Sequence, residues 1–145
     1  MVRAVVVGTR EITKQLSGAK ELVVNSIESL APEPDEIVSG GARGVDTIAK
    51  QYAMERNIEY TEFPARWGET EGKPESEIRE RNDGSSYWAK AGIERNREMI
   101  EYGDVCIAIW DGESSGTKST IGFARSILGD GQTHVVKYTP QVPTG

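Results

Sequence analysis

The chain of 145 residues contains one cysteine and one histidine, and these two scarcities remove a good deal of chemistry at once. A lone Cys106 cannot close an intrachain disulfide. Its place inside the apolar run Val105-Cys106-Ile107-Ala108-Ile109 points to burial rather than to a reactive thiolate. With His134 as the only histidine, a histidine-based metal cluster or a histidine-dependent triad has nothing to be built from, and no metal site is expected. Long apolar runs are missing too. The N-terminal stretch Met1 to Gly8 has too short an apolar part for a signal peptide, and no later run approaches a membrane span, so a cytoplasmic protein without a membrane partner is expected. Basic residues are outnumbered, 17 Lys and Arg against 23 Asp and Glu, for a net charge of -6. That balance argues against a broad phosphate-tracking surface and disfavours nucleic acid as a partner, while a local basic pocket for a small anion remains compatible with it.

The length suits one domain with a real core, and neither internal repeats nor low-complexity segments are present. Ala4-Val5-Val6-Val7 is a continuous run ended by Gly8-Thr9-Arg10, the pattern of a strand buried on both faces of a parallel sheet. Leu22, Val23, Ile27 and Leu30 recur at helical spacing within Ser17 to Leu30, and Pro32 and Pro34 stop that helix. A second strand at Ile37-Val38, a second helix from about Val45 to Arg56 and an edge strand over Ile58 to Phe63 continue the alternation. The polar stretch from Trp67 to Ser86 reads as a long loop or surface insertion, placed at about 68–86. A third helix over about Tyr87 to Tyr102, a fourth strand at Val105 to Trp110, a fourth helix after the turn Asp111 to Gly116, and a fifth strand at His134 to Tyr138 complete the pattern. The expectation is an α/β, Rossmann-like three-layer fold with an open parallel sheet in the order 3-2-1-4-5. It forms a single domain over 1–139 with a loose tail over 140–145.

In such a sheet a ligand sits outside the carboxyl ends of the strands, where the strand order reverses. Three turns meet there. They are Gly8-Thr9-Arg10, Ser39-Gly40-Gly41-Ala42-Arg43-Gly44-Val45-Asp46, and Asp111 to Thr120. Glycine lets a ligand approach the main chain, and a helix start offers unpaired N–H groups and a positive dipole end, so these turns predict an anion site. Their spacing is neither GxGxxG nor GxxxxGK[ST]. Arg10 and Arg43 can pair with phosphate bidentately. Asp46 suits a ribose hydroxyl or a helix cap equally, and Ser114, Ser115, Thr117 and Ser119 are either phosphate-binding hydroxyls or the ordinary start of a helix, with Gly116-Thr117 the favoured part of that turn. Arg95 shares a helix face with Met99, beside Asn96, where a solvated arginine is the plainer reading. Trp67, Trp88 and Trp110 read as packing residues, although Trp110 also lies where it can stack on a base.

Four segments, Val38 to Asp46, Phe63 to Trp67, Ala91 to Met99 and Ile109 to Thr117, resemble in that order the small YspA/YpsA-related branch of the SLOG superfamily, of the DUF2493 type. The resemblance covers Arg3 to about Tyr138. It implies a Rossmann-like fold that binds nucleotides or nucleotide-derived ligands, related to the LOG phosphoribohydrolases and to the DNA-processing protein DprA, and it implies a homodimer. Arg95 and Met99 match one LOG motif and Gly116-Thr117 part of another, but Thr120 stands where those enzymes carry a glutamate, which leaves cleavage of an N-glycosidic bond without its carboxylate. The segment over about 68–86 is also longer than is usual for the family.

The leading expectation is therefore binding or sensing of a small nucleotide-like ligand by Gly8, Thr9, Arg10, Ser39, Gly40, Gly41, Arg43, Gly44, Asp46, Arg95, Asn96, Ser115, Gly116 and Thr117. No cofactor beyond such a ligand is expected. A LOG-like hydrolase is the alternative, with Arg95, Asp111 and Glu113 as catalytic candidates. DprA-like binding of single-stranded nucleic acid is the second alternative, disfavoured by a pI of ≈ 4.9.

Overall fold

The computed structural model describes residues 1–141. Its elements are β1 (Arg3–Gly8), α1 (Ile12–Gln15), α2 (Ala19–Leu30), β2 (Glu36–Ser39), α3 (Val45–Glu55), β3 (Glu59–Glu62), β4 (Ile78–Glu80), β5 (Ser86–Trp88), α4 (Ala91–Tyr102), β6 (Val105–Trp110), α5 (Ser115–Ile127) and β7 (Thr133–Lys137). Five strands form one parallel sheet in the order β3-β2-β1-β6-β7. Counted along that sheet alone, this is the 3-2-1-4-5 order expected from the alternation of strands and helices.

The period of two in a strand divides the core. Ala4 and Val6 of β1, with Val105, Ile107 and Ile109 of β6, face the layer made by α1, α2 and α3, where Ile12, Val23, Ile27 and Ala49 cover them. Val5 and Val7, with Cys106 and Ala108, face the opposite layer, against Met99, Ile100, Ile121 and Ala124 of α4 and α5. Full burial of a valine or isoleucine is worth about 1.5–3 kcal/mol, against helix-propensity differences below about 1 kcal/mol, so burial on both faces decides that these runs are strands. Cys106 is fully buried, and burial pushes its thiol up to about 12, which fits the inert reading.

The structure departs from the sequence reading around the insertion. Residues 68–86 are not an unstructured loop. Ile78 to Glu80 pair antiparallel with Ser86 to Trp88, closing a two-stranded hairpin that stands apart from the main sheet. The third helix consequently starts at Ala91 rather than at Tyr87, because Tyr87 and Trp88 are engaged opposite Arg79 and Ile78. The expected first helix begins at Ala19, and the short α1 before it is an addition to the sequence reading, since one buried residue, Ile12, is too little to show a period. The last strand begins at Thr133 rather than His134. Of the tail, Gln141 donates its N–H to Gln15 O at 2.7 Å, while residues 142–145 lie outside the described residues. Among the described residues no helix is long and apolar enough to cross a membrane.

Candidate functional site

β1 leads to α1 and α2 on one face of the sheet and β6 to α5 on the other, so a crevice opens between their carboxyl ends. Its floor requires glycine at position 8. A Cβ on Gly8 would lie 2.4 Å from Ile109 O and 2.5 Å from Val45 Cγ2. Thr9 then ties the first turn to the third. Its N–H donates to Ile109 O at 3.1 Å, and its Oγ1 accepts the Asp111 N–H at 3.2 Å.

The second turn is built around a buried carboxylate. Asp46 Oδ2 accepts the N–H groups of Gly40 (3.1 Å) and Ala42 (3.2 Å), so the aspartate organises the preceding loop instead of capping its own helix. Burial pushes the Asp46 carboxyl up to about 6, although both N–H groups and the nearby cations of Arg95 and Arg10 favour its charged form. Gly44 has φ +82, and a Cβ there would lie 2.5 Å from Arg10 O and 2.6 Å from Thr9 O, so the second turn rests directly on the first.

Arg95 is a brace rather than a solvated surface arginine. It is 8% exposed, and its Nη1 donates to Gly40 O at 2.7 Å and Phe63 O at 3.2 Å, while Nε donates to Asn96 Oδ1 at 2.8 Å. It thereby fastens α4 to the ends of β2 and β3. Burial lowers its pKa against the opposing pull of Asp46.

The third turn ends at an open helix entrance. Asp111 Oδ1 accepts the N–H groups of Glu113 (2.9 Å) and Ser114 (2.8 Å), and Oδ2 accepts from Gln15 Nε2 at 3.3 Å. Burial raises the Asp111 pKa, yet these hydrogen bonds outweigh it and hold the carboxyl below its ordinary value. Ser114 makes no side-chain cap, and the Lys118 N–H is the first to reach back, to Ser114 O at 3.1 Å. The N–H groups of Ser115, Gly116 and Thr117 thus face the crevice without intrahelical acceptors.

Two adjoining clefts result. The larger, of about 470 Å³, has Gly8, Thr9 and Arg10 on one wall and Ser115, Gly116 and Thr117 on the other, closed by Arg43, Asp46, Arg95, Asn96 and Asp111. The smaller, of about 300 Å³, continues past Arg10, Ala42, Arg43 and Arg95, which it shares with the first, to Gly40, Gly41, Ala65 and Trp67. Three expected site residues lie elsewhere. Ser39 is fully buried with its Oγ 2.5 Å from Tyr60 Oη, Gly44 is a packing position, and Glu113 is exposed outside both clefts. Trp110 lines neither cleft, and its Nε1 donates to Ser114 O at 3.0 Å. Thr120 reaches the larger cleft, but its Oγ1 donates to Gly116 O at 3.0 Å. Sequence reasoning missed Trp67 as a cleft residue. It also missed Glu11, which lines the larger cleft and pairs with Arg43, because a single glutamate after a turn carries no signal.

A crevice of this kind at the switch point of an open parallel sheet defines a Rossmann-like α/β fold. Residues 2–63 match the family model described as DNA recombination-mediator protein A. The chain is 38% identical over 84 residues to the Gene 61 protein of Mycobacterium phage D29, a match that spans 57% of this chain and 57% of the phage protein. DNA processing protein A of Helicobacter pylori, described for its unique single-stranded DNA binding mode, shares the fold. Its TM-score is 0.61 at 21% identity, covering 99% of this chain and 67% of that one. These matches overturn two expectations, the small nucleotide-like ligand as the partner and the disfavouring of nucleic acid. Net charge misled because it averages over the whole surface, while the cleft gathers Arg10, Arg43 and Arg95.

Proposed function

We propose that the protein binds single-stranded DNA along the two clefts. The observation that carries this reading is their continuity. One trough runs from the open N–H groups of Ser115, Gly116 and Thr117 past Arg10, Arg43 and Arg95 to Gly40 and Gly41. Backbone N–H groups and guanidinium groups are donors for successive phosphates, and a trough flanked by loops accepts a flexible single strand more readily than a stiff duplex. The match of residues 2–63 to a DNA recombination-mediator family supports the same reading. Within the SLOG group, the four motifs named above support placement beside the YspA/YpsA-related, DUF2493-type branch, with the homodimer that this implies; sedimentation equilibrium tests the dimer.

Fluorescence anisotropy with a labelled oligothymidine, titrated at several salt concentrations, tests the proposal. Binding should weaken with salt, and Arg10→Ala and Arg43→Ala should each flatten the slope of log K against log salt by about 0.7, the value for one phosphate contact on a single strand. Absence of salt-dependent binding at low ionic strength would reject it.

A further inference from the structure

We propose that Tyr138 and Gln15 are positioning residues of the trough: a relay of side chains that carries the hold of the C-terminal segment, Tyr138 to Gln141, to the turn in front of α5. This inference rests on the single-strand reading and adds to it what keeps the larger cleft in its binding shape. Tyr138 lines neither cleft, so any effect it has on a bound strand passes through other residues.

The relay runs in one direction. Tyr138 Oη donates to Gln15 Oε1 at 2.5 Å, and Gln15 Nε2 donates to Asp111 Oδ2 at 3.3 Å. A carboxylate only accepts, so Asp111 selects the amide nitrogen of Gln15 and leaves the amide oxygen for the hydroxyl. The other Asp111 oxygen takes the N–H groups of Glu113 and Ser114, and those bonds shape the turn that precedes the free N–H groups of Ser115, Gly116 and Thr117. With donors on both oxygens, the Asp111 charge is directed at the protein rather than at an approaching phosphate, which a loose carboxylate in the cleft would repel.

The far end of the relay is firmly held. Tyr138 is 9% exposed in the same core layer as Ile12, its N–H donates to Trp110 O at 2.9 Å, and its hydroxyl lies beside Thr9. Further on, Gln141 donates its N–H to Gln15 O at 2.7 Å and accepts the Ser17 N–H on Oε1 at 3.5 Å. α1 needs this hold. A helix of four residues has no stability of its own, and Ile12 is its one buried side chain. Yet Gln15 at its end and Glu11 at its start both stand in the wall of the larger cleft. The C-terminal segment thus fixes from behind a wall that the strand meets from the front.

The test combines binding and amide exchange in the full chain. Tyr138→Phe removes one hydroxyl that lies outside both clefts. It should weaken oligothymidine binding about fivefold, the equivalent of one lost hydrogen bond, with the salt slope unchanged because no phosphate contact is removed. Exchange of the Glu113 and Ser114 amides should quicken in the same variant while the sheet amides keep their rates. In Gln15→Met the relay is already broken, so adding Tyr138→Phe should cost no further affinity. Wild-type affinity in Tyr138→Phe, additive losses in the double variant, or faster exchange spread over the whole sheet would overturn the relay while leaving the trough intact. If wild type bound no strand at any salt concentration, the single-strand reading would fall, and the exchange of Glu113 and Ser114 alone would decide the relay.

Discussion

Glu11 grips Arg43 through both Nε, at 3.0 Å, and Nη2, while its second oxygen lies 3.3 Å from Lys14 Nζ. The pair sits in the wall of the larger cleft, and its two side chains are 36% and 69% exposed. The hydrogen bonds from Arg43 and Lys14 hold the Glu11 carboxyl below its usual value. A guanidinium engaged in this way meets a phosphate only after exchanging one anion for another. The carboxylate therefore works against binding in the trough.

Glu11→Gln should tighten single-stranded DNA binding at every salt concentration, because Arg43 then meets its phosphate without giving up a carboxylate, while the salt slope stays near that of wild type. The fold should be untouched, because exposed ion pairs contribute little to stability. Anisotropy titrations at matched salt decide the matter; an affinity equal to that of wild type would show that Arg43 contacts no phosphate.

Arg95 should separate from Arg10 by a different measurement. Removing the Arg95 guanidinium leaves the carbonyls of Gly40 and Phe63 without their donor, so Arg95→Ala should cost about 2–4 kcal/mol of folding stability. Arg95→Lys should restore only part of it, since an ammonium cannot reproduce the bonds made by both Nε and Nη1. Arg10 is exposed, and Arg10→Ala should leave the urea midpoint where it is while weakening DNA binding. Equal midpoints for Arg95→Ala and wild type would contradict the bracing role.

Asp46 should imprint a pH dependence on stability. Its carboxyl is pushed from 3.8 up to about 6 in the folded state. Between these values the folded chain holds the proton more tightly than the unfolded chain does, so stability falls as pH rises through this window and levels off above it. The size is on the order of 2–3 kcal/mol. Asp46→Asn keeps an oxygen to accept the N–H groups of Gly40 and Ala42 but cannot titrate. Urea melts at pH 4 and pH 7 should show the advantage of Asn over Asp growing with pH; a constant difference would rule the effect out.

Two glycines of the cleft should respond in opposite ways. Gly8→Ala drives a methyl into Ile109 O and Val45 and should cost about 1–3 kcal/mol. At Gly116 nothing lies within 4 Å of an added Cβ, so Gly116→Ala should be neutral or stabilising by up to about 1 kcal/mol. Because that methyl stands at the entrance of α5, it should still weaken DNA binding. Undiminished binding would place the strand away from the helix entrance.

Much of this architecture is legible in β-branched runs and proline stops, because parallel strands buried on both faces carry an unmistakable apolar signal. The parallel strand order and the convergence of three turns follow from apolar runs as short as Ala4 to Val7 and Val105 to Ile109. The hairpin is not legible. Its strands are three residues each, exposed or half-buried, and Ile78 and Tyr87 are too few to mark a period. Arg95 reads as solvated because its burial comes from Gly40 and Phe63, distant in sequence. Nucleic acid is discounted for a related reason, since a count of charges does not record which of them share a cleft.

The hairpin over residues 78–88 leaves and rejoins the molecule at nearly one point. Trp88 N–H reaches Trp67 O at 2.8 Å, and Ala89 N–H reaches Glu77 O at the same distance. Everything between these anchors hangs from a closed neck, so its length can change at the small logarithmic cost of a longer loop without moving β3 or α4. The excursion is thus an interchangeable module. Trimming its tip at Asn82 to Ser85, or grafting a foreign peptide there, leaves the neck that carries Trp67 intact.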